Sequence, residues 1–311
     1  MISIRYALSA LLFGASAQLA AQAPVVPAVP SVSPAAAPID SARPPHASRT
    51  LAVLPGSMLP ANRIIAYYGT PLSKRMGILG EIPPAQMLAR LDSTAREWEK
   101  ADSTTPVKRA LHMIVTVAQA SPGRDGMYRG RTGDQVIATV AQWAEEHDYL
   151  LFLDIQPGRS SIEAELPRLL PWLRKPYVHL GLDPEFAMSA TGIPGRRIGT
   201  LDARNVNHAI GVLAKLVEEH GLPPKVLVVH RFTEKMLTNH QNIRTDPRVQ
   251  VVIHADGFGA PALKKNIFDL VVTRRPVQYA GLKIFYRNDK PRMTMAQVLA
   301  LRPIPLYIQY Q

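Results

Sequence analysis

Eight short runs of apolar, largely β-branched or aliphatic residues, each parted from the next by a stretch of helical periodicity, constrain this chain more than any other feature. The runs are RIIAYYG (63–69), LHMIVTVA (111–118), YLLFLDI (149–155), YVHLGLD (177–183), KVLVVH (225–230), VQVVIHA (249–255), GLKIFY (281–286) and PLYIQY (305–310). Between them, 85–101, 134–147, 161–173, 205–221, 233–240, 260–272 and 294–301 carry apolar residues at i, i+3, i+4 and i+7. Thr233 and Thr294 stand where helix N-caps belong, and Gly221 followed by Pro223 marks a helix end. Strands that are apolar throughout are buried on both faces, as parallel strands sheathed by helices are. The pattern therefore predicts an α/β fold, a single (β/α)8 TIM-type barrel over residues 51–311. No G-x-G-x-x-G follows the first strand, which argues against a Rossmann sheet. RRIGTL (196–201) is a candidate extra strand.

The N-terminus reads differently. A basic start, MISIR, precedes a short apolar core and small residues in A-x-A spacing, the pattern of a signal peptide over 1–23. Ala15-Ser16-Ala17 and Ala21-Gln22-Ala23 are the candidate cleavage sites, and the apolar core is too short to span a bilayer comfortably. Residues 24–50 hold a Pro/Ala-rich tract with too little apolar bulk for a core, expected to be a disordered linker. The chain has no cysteine, so neither a lipid-anchored cysteine nor a disulfide framework is available. The expectation is a secreted, periplasmic or envelope-associated monomer with no transmembrane anchor after cleavage. The formal charge of +12 falls to +11 when Arg5 leaves with the signal. Basic runs are not interleaved with aromatic residues and no nucleic-acid motif occurs, so the expected partner is a glycan or anionic envelope polymer, not nucleic acid.

In a barrel the chemistry gathers where strands end and their following loops begin. The run 177–186, YVHLGLDPEF, ends on Asp183 and Glu185 around a proline that cannot donate to a sheet ladder. Neighbouring runs end on Asp154 and Gln156, on His230 and Arg231, and on His254 and Asp256. Residues two apart on a strand share a face, so D-x-Q, D-x-E and H-x-D each aim a polar pair one way. One protonated and one ionised carboxyl across a groove is what glycoside hydrolysis requires. Glu185 is the candidate acid, and Asp256, or else Asp154, the nucleophile or base. Gln156, Asp183, His230, Arg231 and His254 are candidates to hold substrate, and Tyr67, Tyr68 and Tyr286 to stack on sugar faces. A rival reading takes Asp154, Asp183, Glu185, His230, His254 and Asp256 as mixed ligands of a metal-dependent hydrolase. No H-x-H or H-E-x-x-H occurs, so neither a metal nor another cofactor is expected. A non-catalytic wall-polymer-binding protein using the same groove is the third reading. G-x-S-x-G is absent, which leaves serine catalysis unsupported. The glycine-rich loop 121–134, with Arg124, Arg129 and Arg131, reads as a mobile cationic lid, and Arg159, Arg196, Arg197, Arg231 and Arg287 fall in loops on the same rim.

The series FLDIQPGRS, HLGLDPEF, IGTLDARNVN, VVHRF, VIHADG, LKIFYRND and MTMAQVLALRPIPLYIQYQ resembles a family of exported bacterial proteins, frequent in actinobacteria, over essentially all of 62–311. Its members usually carry a signal peptide and a low-complexity spacer, many with a lipid anchor whose cysteine this chain lacks. The family has no established activity, so the resemblance implies export and domain limits and gives no residue a catalytic role.

N-terminal sequencing of exported protein is expected to start near residue 18 or 24. A chain beginning at Leu51 is expected to melt cooperatively; a broad, non-cooperative transition would place the Pro/Ala tract in the core.

Overall fold

Alternation within each strand sends one set of side chains outward to the helices and the other into the space the sheet encloses. The computed structural model describes residues 52–311, and the expected signal peptide (1–23) and linker (24–50) lie outside the described residues. Eight parallel strands form a closed barrel: β1 (Arg63–Gly69), β2 (Val107–Ala118), β3 (Leu150–Ile155), β4 (Val178–Leu182), β5 (Lys225–Arg231), β6 (Val249–Ala255), β7 (Tyr279–Ile284) and β8 (Tyr307–Tyr310). Each pairs with its sequence neighbours, and closure comes from Ile64–Tyr67 of β1 lying in register with Tyr307–Tyr310 of β8. This is the (β/α)8 architecture expected from the alternation.

The helical coat is uneven, for local reasons. Helices α1 (Pro84–Ala101), α2 (Asp134–Glu146) and α3 (Ala203–His220) are long and regular. Helix α3 opens with a capping box on Asp202 and Asn205 and closes on Gly221, the helix end marked by the sequence, whose φ of 59° is left-handed. The 161–173 segment breaks into two short α turns around a 3₁₀ turn, because Pro167 and Pro171 each remove a backbone donor. The helix expected over 233–240 does not form. Glu234–Met236 is a single 3₁₀ turn and Leu237–Thr238 a two-residue strand, which pairs with Leu201–Asp202 outside the barrel. The extra strand anticipated at 196–201 is thus confined to that small pair and leaves the barrel numbering intact. Helix α4 (Pro261–Phe268) runs on into a π turn, and α5 (Met295–Leu299) starts with the capping box on Thr294 and Gln297.

Two apolar cores result. The larger lies between strands and helices, from Ile65, Tyr67 and Trp98 round to Ile308. The smaller fills the N-terminal half of the barrel interior with Ile64, Ala66, Leu150, Phe152, Val226, Val228 and Val252. Leu59, with no exposed surface, closes that end. The Gln250 amide anchors it: Oε1 accepts from Met58 N at 2.9 Å and Leu59 N at 3.0 Å, and Nε2 donates to the Leu59 carbonyl. The C-terminal half of the interior is polar, and that asymmetry positions the site.

Gln250→Ala strands three backbone groups under the barrel and is expected to cost about 2–3 kcal/mol. A fall in the denaturant midpoint at unchanged slope would show this; an unchanged midpoint would show that the plug holds by apolar packing alone.

Candidate functional site

Tyr68 of β1, His112 of β2, Asp154 of β3, His230 of β5, His254 of β6, Lys283 of β7 and Gln309 of β8 all point into the upper barrel, and none is more than 3 % exposed. Tyr68 Oη donates to Asp154 Oδ2 at 2.9 Å. The other carboxylate oxygen, Oδ1, faces His112 Nε2 at 3.5 Å and His230 Nε2 at 3.6 Å. His230 Nδ1 lies 2.8 Å from Asp256 Oδ2 and 3.3 Å from His254 Nδ1. Lys283 Nζ pairs with Asp256 Oδ1 at 3.0 Å and sits 4.0 Å over the Tyr68 ring. Above this layer, Gln156 Nε2 donates to Tyr68 Oη at 3.2 Å and to Asp183 Oδ2 at 3.1 Å.

The Asp183-Pro184-Glu185 stretch resolves into two roles. Asp183 is 2 % exposed, and its Oδ1 accepts from Glu185 N at 3.1 Å, capping the 3₁₀ turn Pro184–Phe186. That bond ends the strand and lifts Glu185 to the mouth, where it is half-buried. Burial, reinforced by the charges of Asp183 and Asp256, pushes the Glu185 carboxyl up to about 8. Asp183 is raised to about 7, by burial first and then by Asp154 and Asp256. Asp256 goes the other way: burial opposes its charge, but Lys283 and His230 hold it well below the usual carboxylate range. Burial likewise opposes the charge of Asp154, and His230, His112 and Tyr68 outweigh it. Burial lowers His112 to about 4 and drives His254 well down, whereas Asp154 and Asp256 raise His230 despite its burial. One end of the barrel therefore keeps a neutral carboxyl at the mouth beside an ionised one just below it.

Of the residues singled out from sequence, Asp154, Gln156, Asp183, Glu185, His230, His254, Asp256 and Tyr68 come together here. Three do not. Tyr67 points outward, with no exposed surface, and its hydroxyl bonds Thr94 of α1 at 2.8 Å and Tyr286 at 2.9 Å. Tyr286 stacks on Tyr310 in the same layer, under the Arg90 guanidinium. Arg231 also turns outward, and its guanidinium ties the carbonyls of Thr233, Glu234 and Leu237. These side chains build the coat rather than the mouth. The rim arginines are partly committed too: Arg129 and Arg131 both grip the buried Glu165, at 2.8 and 2.7 Å, and Arg287 pairs with Glu81. Arg129–Arg131 forms a short strand antiparallel to the end of β2, so the expected mobile lid is a pinned hairpin. Arg124, Arg196 and Arg197 remain exposed on the mouth face.

His112, Lys283 and Gln309 escaped the sequence reading. His112 lies in mid-strand, which hid it from a reading of strand ends, whereas Lys283 and Gln309 stand one residue before the ends of β7 and β8, the same place as Asp154, His230 and His254 in their strands. A usable signal existed: each polar residue interrupts an apolar run at an inward-pointing register position. Phe258, 44 % exposed and two residues beyond Asp256, is a further mouth residue the reading passed over.

Asp183→Asn puts an amide opposite the Gln156 amide and is expected to cost about 1–2 kcal/mol, visible as a lower melting temperature. Glu185→Gln should behave oppositely. In the parent, a carboxyl raised from 4.5 to about 8 contributes most to stability below pH 4.5, and that contribution is lost as pH climbs through 8. The variant's melting temperature relative to the parent should therefore rise across that interval, by at most about 1.4 kcal/mol equivalent per pH unit, and then level off. A pH-independent difference would contradict the assignment.

Searches of protein-family models and of curated proteins give no match to this chain.

Proposed function

We propose that this protein is an exported barrel hydrolase that cleaves a glycan of the cell envelope or surroundings, with Glu185 as proton donor and Asp256 as its ionised partner. One arrangement carries the reading: Glu185 is half-buried at the mouth with its carboxyl pushed up to about 8, above an Asp256 carboxylate that Lys283 pairs at 3.0 Å. An acid neutral at working pH can protonate a leaving oxygen, and a fixed carboxylate can attack or stabilise the sugar cation that develops. Asp154 has no exposed surface, so it supports His230 and Tyr68 and does not meet substrate. Tyr68 is buried as well, and Phe258 takes over the part first given to the tyrosines, as an exposed ring at the mouth able to stack on a sugar face. Arg124, Arg196 and Arg197 on the same face favour an anionic polymer. The alternative of a metal-dependent hydrolase is weaker, because His112, Asp154 and His230, three donors that could hold an ion, have no exposed surface. The non-catalytic alternative shares the groove and differs in leaving glycan intact.

Purified bacterial wall polysaccharides incubated with the protein should gain reducing ends, and Glu185→Gln should lower that rate by about 10²–10⁴-fold with the fold retained. Binding to the same polysaccharides without new reducing ends would sink the hydrolase reading in favour of a polymer-binding protein. Full activity in Glu185→Gln would remove Glu185 from the chemistry.

A further inference from the structure

Three polar atoms deep in the barrel face one another and find no hydrogen-bond partner among the described residues: His112 Nε2, Asp154 Oδ1 and His230 Nε2. Their side chains have no exposed surface. An unpaired polar atom in such a place normally costs about 1–3 kcal/mol, and three aimed at one point ask for a common partner. Asp154 Oδ1 stands 3.5 Å from His112 Nε2 and 3.6 Å from His230 Nε2, too far for well-formed hydrogen bonds. Those separations lie close to the roughly 3.3 Å that ligand atoms keep when each is about 2.0–2.1 Å from one tetrahedral ion.

The far side of each donor is already engaged. His112 Nδ1 lies 2.6 Å from Tyr307 Oη, an acceptor for the Nδ1 proton that an Nε2-bound imidazole carries. His230 Nδ1 meets Asp256 Oδ2 at 2.8 Å, and Asp154 Oδ2 accepts from Tyr68 Oη at 2.9 Å. A ligating imidazole whose other nitrogen is held by a carboxylate, and a ligating carboxylate that is itself hydrogen-bonded, are the outer partners metal sites use to orient their ligands. A side chain on the neighbouring strand would displace the two ligand atoms, and glycine keeps them clear. Gly181 of β4 pairs with Asp154, and a Cβ placed on it would fall 2.4 Å from both Asp154 Oδ1 and His112 Nε2. The charge environment agrees, since Asp154, Asp183 and Asp256 are buried together with Lys283 as the lysine that pairs among them.

The geometry points to a divalent transition-metal site, zinc by its two-imidazole, one-carboxylate donor set, formed by His112, Asp154 and His230. The ion lies beneath the mouth and acts on the protein rather than on substrate. Bound to His230 Nε2, it fixes the tautomer whose Nδ1–H points at Asp256, and so sets the orientation of that carboxylate. This replaces the sequence-based expectation that no metal is held. Each ligand comes from a different strand, so no local H-x-H spacing exists to reveal them.

The test uses the untagged full chain, stripped with chelator and titrated with zinc chloride or cobalt chloride. One zinc per chain, a raised melting temperature and the visible absorption of tetrahedral cobalt are expected. His112→Gln and Asp154→Asn should each weaken uptake by at least about 100-fold, with circular dichroism confirming the fold. Glu185→Gln should take up zinc like the parent, so a failure of the acid assignment leaves this result readable by itself. Should either ligand variant not fold, ring-nitrogen chemical shifts of His112 and His230 in the parent decide, by moving on zinc addition. A folded parent chain that takes up neither metal stoichiometrically, uptake unchanged in both ligand variants, or unmoved ring shifts would each overturn the site.

Discussion

Buried negative charge in the upper barrel is the constraint from which the rest of the arrangement follows. Asp154, Asp183 and Asp256 are at most 7 % exposed, and carboxylates so placed must be paired or protonated. Lys283 and His230 hold Asp256, while His230, His112 and Tyr68 surround Asp154. Little compensation is left for Asp183 and Glu185, and both are driven toward their neutral forms. The neutral carboxyl at the mouth follows first from burial and then from the charges of Asp183 and Asp256. Removing the positive partners would shift every carboxyl in the group, because they share one poorly screened space.

The barrel divides its labour along its axis. Below, Leu59, Ile64, Leu150, Val226 and Val252 pack an interior that can only stabilise. Above, tyrosine, histidine, lysine and aspartate occupy the same inward positions, and the lost apolar packing is offset by the outer layer between strands and helices. Phe152 bridges the two regimes, stacking on His112 with centroids 5.3 Å apart and lying tilted against His179 at 5.1 Å. His179 itself is inert in this scheme: its Nδ1 accepts from Val226 N at 3.1 Å, and burial keeps the ring neutral.

Much of this was legible in the sequence, with limits set by parity. Eight apolar runs gave the strands, and Asp183, Glu185 and Asp256 stood out because they end runs rather than interrupt them. Adjacent pairs were the trap. Tyr67 and Tyr68, or His230 and Arg231, cannot both face inward, since neighbouring strand residues point to opposite sides. Which member does so depends on closure of the barrel, a long-range property no local window holds. The segment 233–240 failed for another reason: its helical spacing was overridden when Leu237–Thr238 found a strand partner in Leu201–Asp202. His112 and Lys283 look like lapses in apolar strands until the register shows them converging.

The fold itself keeps Glu185 neutral above an ionised Asp256. Carbon-13 NMR of the labelled Glu185 side-chain carboxyl, followed through a pH titration of the chelator-stripped full chain, measures that directly. The account predicts a midpoint near 8 that returns toward the ordinary 4.5 in unfolding denaturant. A folded-state midpoint near 4.5 would contradict it.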